Sequence, residues 1–139
     1  MIQRIQTVYL FLAIISVVAF DFIPFGSMKI DAIGSTSILV AKNNMVFVII
    51  SGIIALIAQF AILLFKNRIL QMRLVLFNIV LSVALIGMFV YELIEHVGIA
   101  NYAFGIGAII PIFILFFNIL AYFSIKSDEK LVRSMDRLR

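Results

Sequence analysis

Apolar residues run along this chain in four long stretches, at 5–25, 45–65, 74–94 and 104–125, and the polar and charged residues are largely confined to the segments between them. A stretch of about 20 apolar residues, rising 1.5 Å per helical residue, crosses a hydrocarbon core about 30 Å thick. A segment inside lipid must satisfy its own backbone, and a helix does this unaided. The pattern predicts an all-α membrane protein built as a four-helix transmembrane bundle. Short connections make the second and third helices, and the third and fourth, antiparallel neighbours.

Composition strengthens this reading. The chain is 65% hydrophobic and only 13% charged, with mean hydropathy +1.23. Soluble domains run at about 45–50% apolar and about 25% charged. Four spans use most of the 139 residues, so residues 1–139 are expected to form a single membrane domain. Cysteine is absent, which excludes a disulfide, a thiolate nucleophile and a Cys-based metal site. Tryptophan is absent too, so the interfacial aromatic role falls to tyrosine.

Charge predicts the orientation. With a cytoplasmic N-terminus, the inner segments hold Arg4, then Lys66, Arg68 and Arg73, then Lys126, Lys130, Arg133, Arg137 and Arg139; the outer segments hold only Lys29 and Lys42. This asymmetry places both termini inside. The net charge of +4 is therefore assigned to topology, and nucleic acid is not expected as a partner. Tyr9 and Tyr122 fall near the inner interface, Tyr91 and Tyr102 near the outer one. Arg4 followed by apolar residues and Val17-Val18-Ala19 has the outline of a cleaved signal. The apolar run nevertheless continues to Phe25, interrupted only by Asp21, so the first stretch is expected to be retained.

Pro24 should end the first helix, because proline disfavours helix in the residue before it. The outer connection 26–44 reads as a small β-hairpin or a loop: Met28–Asp31 alternates, Ala32–Ser35 suits a turn, Thr36–Val40 is rich in β-branched residues, and Asn43-Asn44 can cap the next helix. In the fourth span Pro111 leaves the Gly107 carbonyl without its helical donor, so a kink or loose first turns are expected. The tail 126–139 reads as a cytoplasmic amphipathic helix, with Ser127 as a local N-cap and Leu131, Met135 and Leu138 on one face. Glu129 and Arg133 have the spacing of an ion pair. Anionic lipid, the inner end of the bundle, and a protein partner are all candidates for what this face meets.

Polar residues within the spans need partners. Gln59, Asn78 and Asn118 lie at comparable depths, roughly 7–12 Å from the inner charges, and Tyr9 can join them. One layer of interhelical hydrogen bonds is expected from these four; a solute or ion site is the alternative. Near the outer ends, Glu92, Glu95 and His96 share one side of a helix, with Asp21 at similar height. They are a weak metal-ligand candidate, against which a solvated helix end is the plainer reading, and no metal or cofactor is expected. Small residues recur at Ser51, Ala55 and Ala58, at Ala84 and Gly87, and at Gly105 and Ala108, which permits close helix packing, internal or between copies.

The chain begins Met1-Ile2-Gln3-Arg4-Ile5-Gln6-Thr7-Val8-Tyr9-Leu10 and ends Asp128-Glu129-Lys130-Leu131-Val132-Arg133-Ser134-Met135-Asp136-Arg137-Leu138-Arg139, with Phe65-Lys66-Asn67-Arg68-Ile69-Leu70-Gln71-Met72-Arg73-Leu74 between them. These segments resemble the signature stretches of a bacterial family of small four-span membrane proteins classed as a domain of unknown function. The resemblance covers the whole chain and implies the inner membrane of a Gram-negative cell. It implies no activity, cofactor or catalytic residue. All three segments lie on the predicted inner side. There Gln3, Arg4, Gln6, Lys66, Asn67, Arg68, Gln71 and Arg73 can meet Asp128, Glu129 and Asp136, closing the bundle, or can face a partner, with Arg133 and Arg137 alongside. No paired nucleophile and base is evident, so an enzyme is not expected. A structural or accessory subunit, with lipid, a protein partner or further copies of itself around it, is the leading expectation; a transporter or channel formed by oligomerisation is the runner-up.

Overall fold

The computed structural model describes residues 3–30, 35–65, 67–94 and 102–136. Four helices dominate: α1 (Gln3–Phe22), α2 (Met45–Leu63), α3 (Arg68–Glu92) and α4 (Ile110–Asp136). All four are long and apolar enough to cross a membrane. They stand in a ring in which each helix packs on its chain neighbours and α4 closes against α1. Lipid tails are as apolar as leucine, so within a membrane such a bundle would be held by close packing and interhelical hydrogen bonds rather than by burial from water.

Helix boundaries follow local chemistry. α1 stops two residues before Pro24, with Ile23 N still donating to Ala19 O at 2.8 Å. α2 starts behind Asn44, whose side-chain oxygen accepts from Val46 N at 3.1 Å, the N-cap expected from the sequence. α3 starts at Arg68, six residues before the predicted span, so the link between α2 and α3 is shorter than expected. Its early turns carry Arg and Gln and belong to the bundle's end rather than to an apolar run.

A three-stranded antiparallel sheet caps one end: β1 (Gly26–Ile30), β2 (Ser35–Leu39) and β3 (Tyr102–Phe104), in the order β2-β1-β3. Gly26 pairs with Leu39 on one side and with Phe104 on the other. β1 and β2 pair within the connection that the sequence leaves as a β-hairpin or a loop; the third strand is not expected from the sequence. The apolar pattern places Phe104 in the fourth span, but it pairs with β1, and the chain then makes a 3-10 turn over Ile106–Ile109 before α4. Pro111 thus sits in the first turn of an α-helix, where its missing N–H removes no helical bond. The expected irregularity appears as this tight lead-in. At the other end α4 passes through Ser127 without a break, so Ser127 is not an N-cap and the tail through Asp136 is an extension of the fourth helix.

The core has two apolar parts. Near the sheet, Phe20, Phe25, Phe47 and Phe89 pack with Val17, Ile54, Leu85 and Ile114. Phe25 meets Phe89 edge-on at 5.2 Å and Phe20 meets Phe47 edge-on at 5.9 Å. Towards the opposite end, Leu10, Ala58, Ala61, Val75, Ala121 and Ile125 form the second part, flanked by Tyr9 and Tyr122.

Candidate functional site

Between the two apolar clusters lies a polar layer. α3 supplies Asn78 and, one turn on, Ser82; α4 supplies Asn118; all three are fully buried. Asn78 Nδ2 donates to Asn118 Oδ1 at 3.1 Å and to Ile54 O on α2 at 3.2 Å. Asn118 Nδ2 donates to Ser82 Oγ at 3.2 Å and to Ile114 O at 3.0 Å. Ser82 Oγ donates to Asn78 O at 2.8 Å. Both amide orientations are fixed by these partners: a flip of either would set oxygen against oxygen. Asn78 Oδ1 is left without a hydrogen bond among the described residues. The layer ties α2, α3 and α4 together.

Two of the four residues expected in this layer are elsewhere. Gln59 is exposed, one residue beyond the buried Ala58 and so turned about 100° away from the interior. Tyr9 packs half-buried against the apolar cluster nearer the end. Ser82 was not anticipated, although its position four residues after Asn78 puts both on one helix face.

At the end away from the sheet, α1, α3 and α4 bring three more polar side chains inside. Gln6, Gln71 and Asp128 are each buried. Gln6 Nε2 donates to Asp128 Oδ2 and, at 3.5 Å, to Ser124 O. Arg68 Nη1 donates to the Asp128 carbonyl at 3.1 Å. The expected closure between the segments 3–6, 66–73 and the tail is therefore made here by an amide on the carboxylate and an arginine on the backbone. The arginine-to-carboxylate contact expected from Arg4 or Arg73 is not what holds it: Arg73 is exposed, and the side chains of Arg4 and Lys66 lie outside the described residues, as do those of Arg133, Asp136 and Arg137. Glu129 is half-buried beside this end. Gln71 Oε1 is buried without a hydrogen bond among the described residues.

At the sheet end, polar contacts bridge α1, α2 and α3. Ser51 Oγ donates to Asp21 Oδ1 at 2.9 Å, and Asn44 Nδ2 to Glu92 Oε1 at 3.4 Å. Lys42 Nζ stands 5.8 Å over the Phe22 ring. Of the weak metal candidate, Glu92 is bonded to Asn44 while Glu95 and His96 lie outside the described residues. Among the described residues no group of three or more metal-ligating side chains comes together. The small residues divide likewise. Ser51 and Ala58 are buried at helix contacts, whereas Ala84 and Gly87 face outward.

What the arrangement does chemically is hold helices together. Its buried polar groups are largely spent on one another and on backbone carbonyls, with apolar layers between the levels. Neither a curated protein nor a solved structure matches the chain. A family described as a domain of unknown function, DUF4293, matches residues 2–138, and the chain belongs to that family.

Proposed function

We propose that this protein is a non-catalytic subunit of an assembly in the inner membrane of a bacterial envelope: a four-span scaffold or accessory component. Both termini face the cytoplasm, the sheet lies on the outer face, and the basic end of α4 projects inward. Nine of the chain's eleven Lys and Arg residues fall on the inner side in this orientation.

The observation that carries the reading is the closed state of the central polar layer. Asn78, Ser82 and Asn118 have no exposed surface, and apolar clusters seal the bundle above and below them. A transport site needs a polar group reachable from water at some stage. Polar groups consumed inside a packed bundle serve as interhelical glue instead.

The test combines topology with capture. Because the chain has no Cys, single cysteines report sidedness cleanly. In intact cells Ser35→Cys should react with an impermeant thiol reagent, and Asn67→Cys should react only after lysis. Purification in mild detergent should bring down stoichiometric membrane partners. Termini on opposite faces, or solute flux in liposomes holding the protein alone, would overturn the proposal.

A further inference from the structure

We propose that the outward face of α2 is a helix–helix interface for a second copy of this chain, centred on Gln59. The inference rests on the membrane-spanning reading above.

Phe47, Ile54 and Ala61 turn α2 into the core and are fully buried. On the opposite side stand Met45, Ile49, Gly52, Leu56, Gln59 and Leu63, at alternating spacings of four and three residues. That is the 3.5-residue repeat of a packing seam between two helices. Met45, Ile49, Leu56 and Leu63 are all exposed, Leu63 at 66%. Nothing else among the described residues covers them.

Gln59 identifies what does. It is exposed, and among the described residues none hydrogen-bonds it. It lies 14 residues, about 21 Å, from the start of α2, well inside the apolar run. Hydrocarbon offers an amide neither donor nor acceptor. Nor can the side chain readily reach the near, inner interface. Helical side chains lean towards the helix N-terminus, which here is the far side of the membrane. A carboxamide carries both donors and an acceptor, so it is its own complement. Copies inserted in the same orientation are related by a two-fold axis along the membrane normal, which makes the two α2 helices parallel. In a parallel pair each seam position meets its own counterpart, and Gln59 meets Gln59 of the other copy.

Gly52 fits the same face. A Cβ built there would meet nothing within 4 Å, so the chain's own packing gives no reason for glycine in the middle of a helix it weakens. Its absence of side chain lets a second backbone approach two turns from the amide pair.

Cysteine-scanning disulfide cross-linking of the full chain in native membranes tests this. Cross-linked dimer should peak at Ile49→Cys, Leu56→Cys and Leu63→Cys. It should drop at the equally lipid-exposed controls Val46→Cys, Ile53→Cys and Phe60→Cys. Gln59→Leu should weaken dimerisation in nanodiscs about three- to tenfold, the equivalent of one or two interhelical hydrogen bonds, and Gln59→Asn should largely restore it. Both variants should keep the fold, because position 59 is exposed; helical content and melting verify this. A yield that does not repeat every 3.5 residues, or a Gln59→Leu variant that dimerises as well as the parent, overturns the proposal. Cross-links from the same positions to a different protein overturn it in favour of a foreign helix. A flat scan in a protein whose Ser35 and Asn67 cysteines behave as above sinks the dimer alone and leaves the subunit reading standing.

Discussion

Four intramembrane or near-membrane amides, Gln59, Gln71, Asn78 and Asn118, meet different fates within one bundle. Asn78 and Asn118 face each other and lock through two side-chain atoms, while Gln59 faces out. Sequence position gave the depth of each, since rise per residue is constant. It did not give direction, because one residue rotates a side chain by about 100°, and the apolar run around Gln59 is hydrophobic on every face. The face of α2 that turns inward carries Phe47, Ser51, Ile54, Ala58 and Ala61, large and small residues together. The Asn pair makes a clear prediction. Asn118→Leu should destabilise the bundle by about 1–3 kcal/mol, because it leaves buried Asn78 and Ser82 groups unpaired. Adding Asn78→Leu should recover part of that loss. The coupling read from the double-mutant cycle, by steric-trap or denaturant unfolding, should be about 0.6–1.7 kcal/mol. Additive effects would show that the two amides do not interact.

At the scale of elements, the bundle's sheet end is organised by a backbone junction. Gly105 N donates to Phe25 O at 2.9 Å and Gly107 N to Pro24 O at 3.2 Å. A Cβ on either glycine would stand 2.7 Å from Pro24 O. The end of α1 and the lead-in to α4 thus touch backbone to backbone, and only glycine fits. The glycines were visible as small residues, but their partner was not, because it lies some 80 positions away in the chain. β3 was hidden for a related reason. A three-residue apolar strand at the edge of an apolar helix has no period of its own, and its assignment comes from pairing with β1. Gly107→Ala should therefore cost about 1–3 kcal/mol and loosen both junctions, an overpacking effect against rigid backbone. Gly87→Ala, where an added Cβ meets nothing, should be neutral or stabilise by up to about 1 kcal/mol in the monomer. Melting of the two variants in the same detergent compares them; equal loss from both would mean that glycine matters here for helix propensity rather than for contact.

Seen whole, the molecule is two helical hairpins joined into a ring. α1 and α2 form one hairpin, α3 and α4 the other, and the ring closes through α2 against α3 and α1 against α4. The four long apolar helices could be read directly from hydropathy. The closure could not, because it depends on contacts between the first and last helices. α1 and α4 share both apolar clusters along their length, and polar contacts tie the two ends: Gln6 on Asp128 below, and the Pro24 region on Gly105 and Gly107 above. On the membrane-spanning reading proposed above, helices that are each stable in lipid associate in a second step, so continuity of the chain at the α2–α3 link should not be needed to hold the ring. Co-expressed halves, 1–65 and 66–139, should insert independently and copurify as a folded complex with the helical content of the intact protein. Gly107→Ala in the second half should weaken the complex, since it damages one of the junctions through which the halves meet. Gln6→Ala in the first half should weaken it too, because the Arg68 contact with the Asp128 carbonyl lies within the second half and cannot replace the lost bond between the halves. Halves that fail to copurify although each is inserted would show that the closing contacts between α1 and α4 are too weak to act without a covalent link, and that the ring is held by its loops.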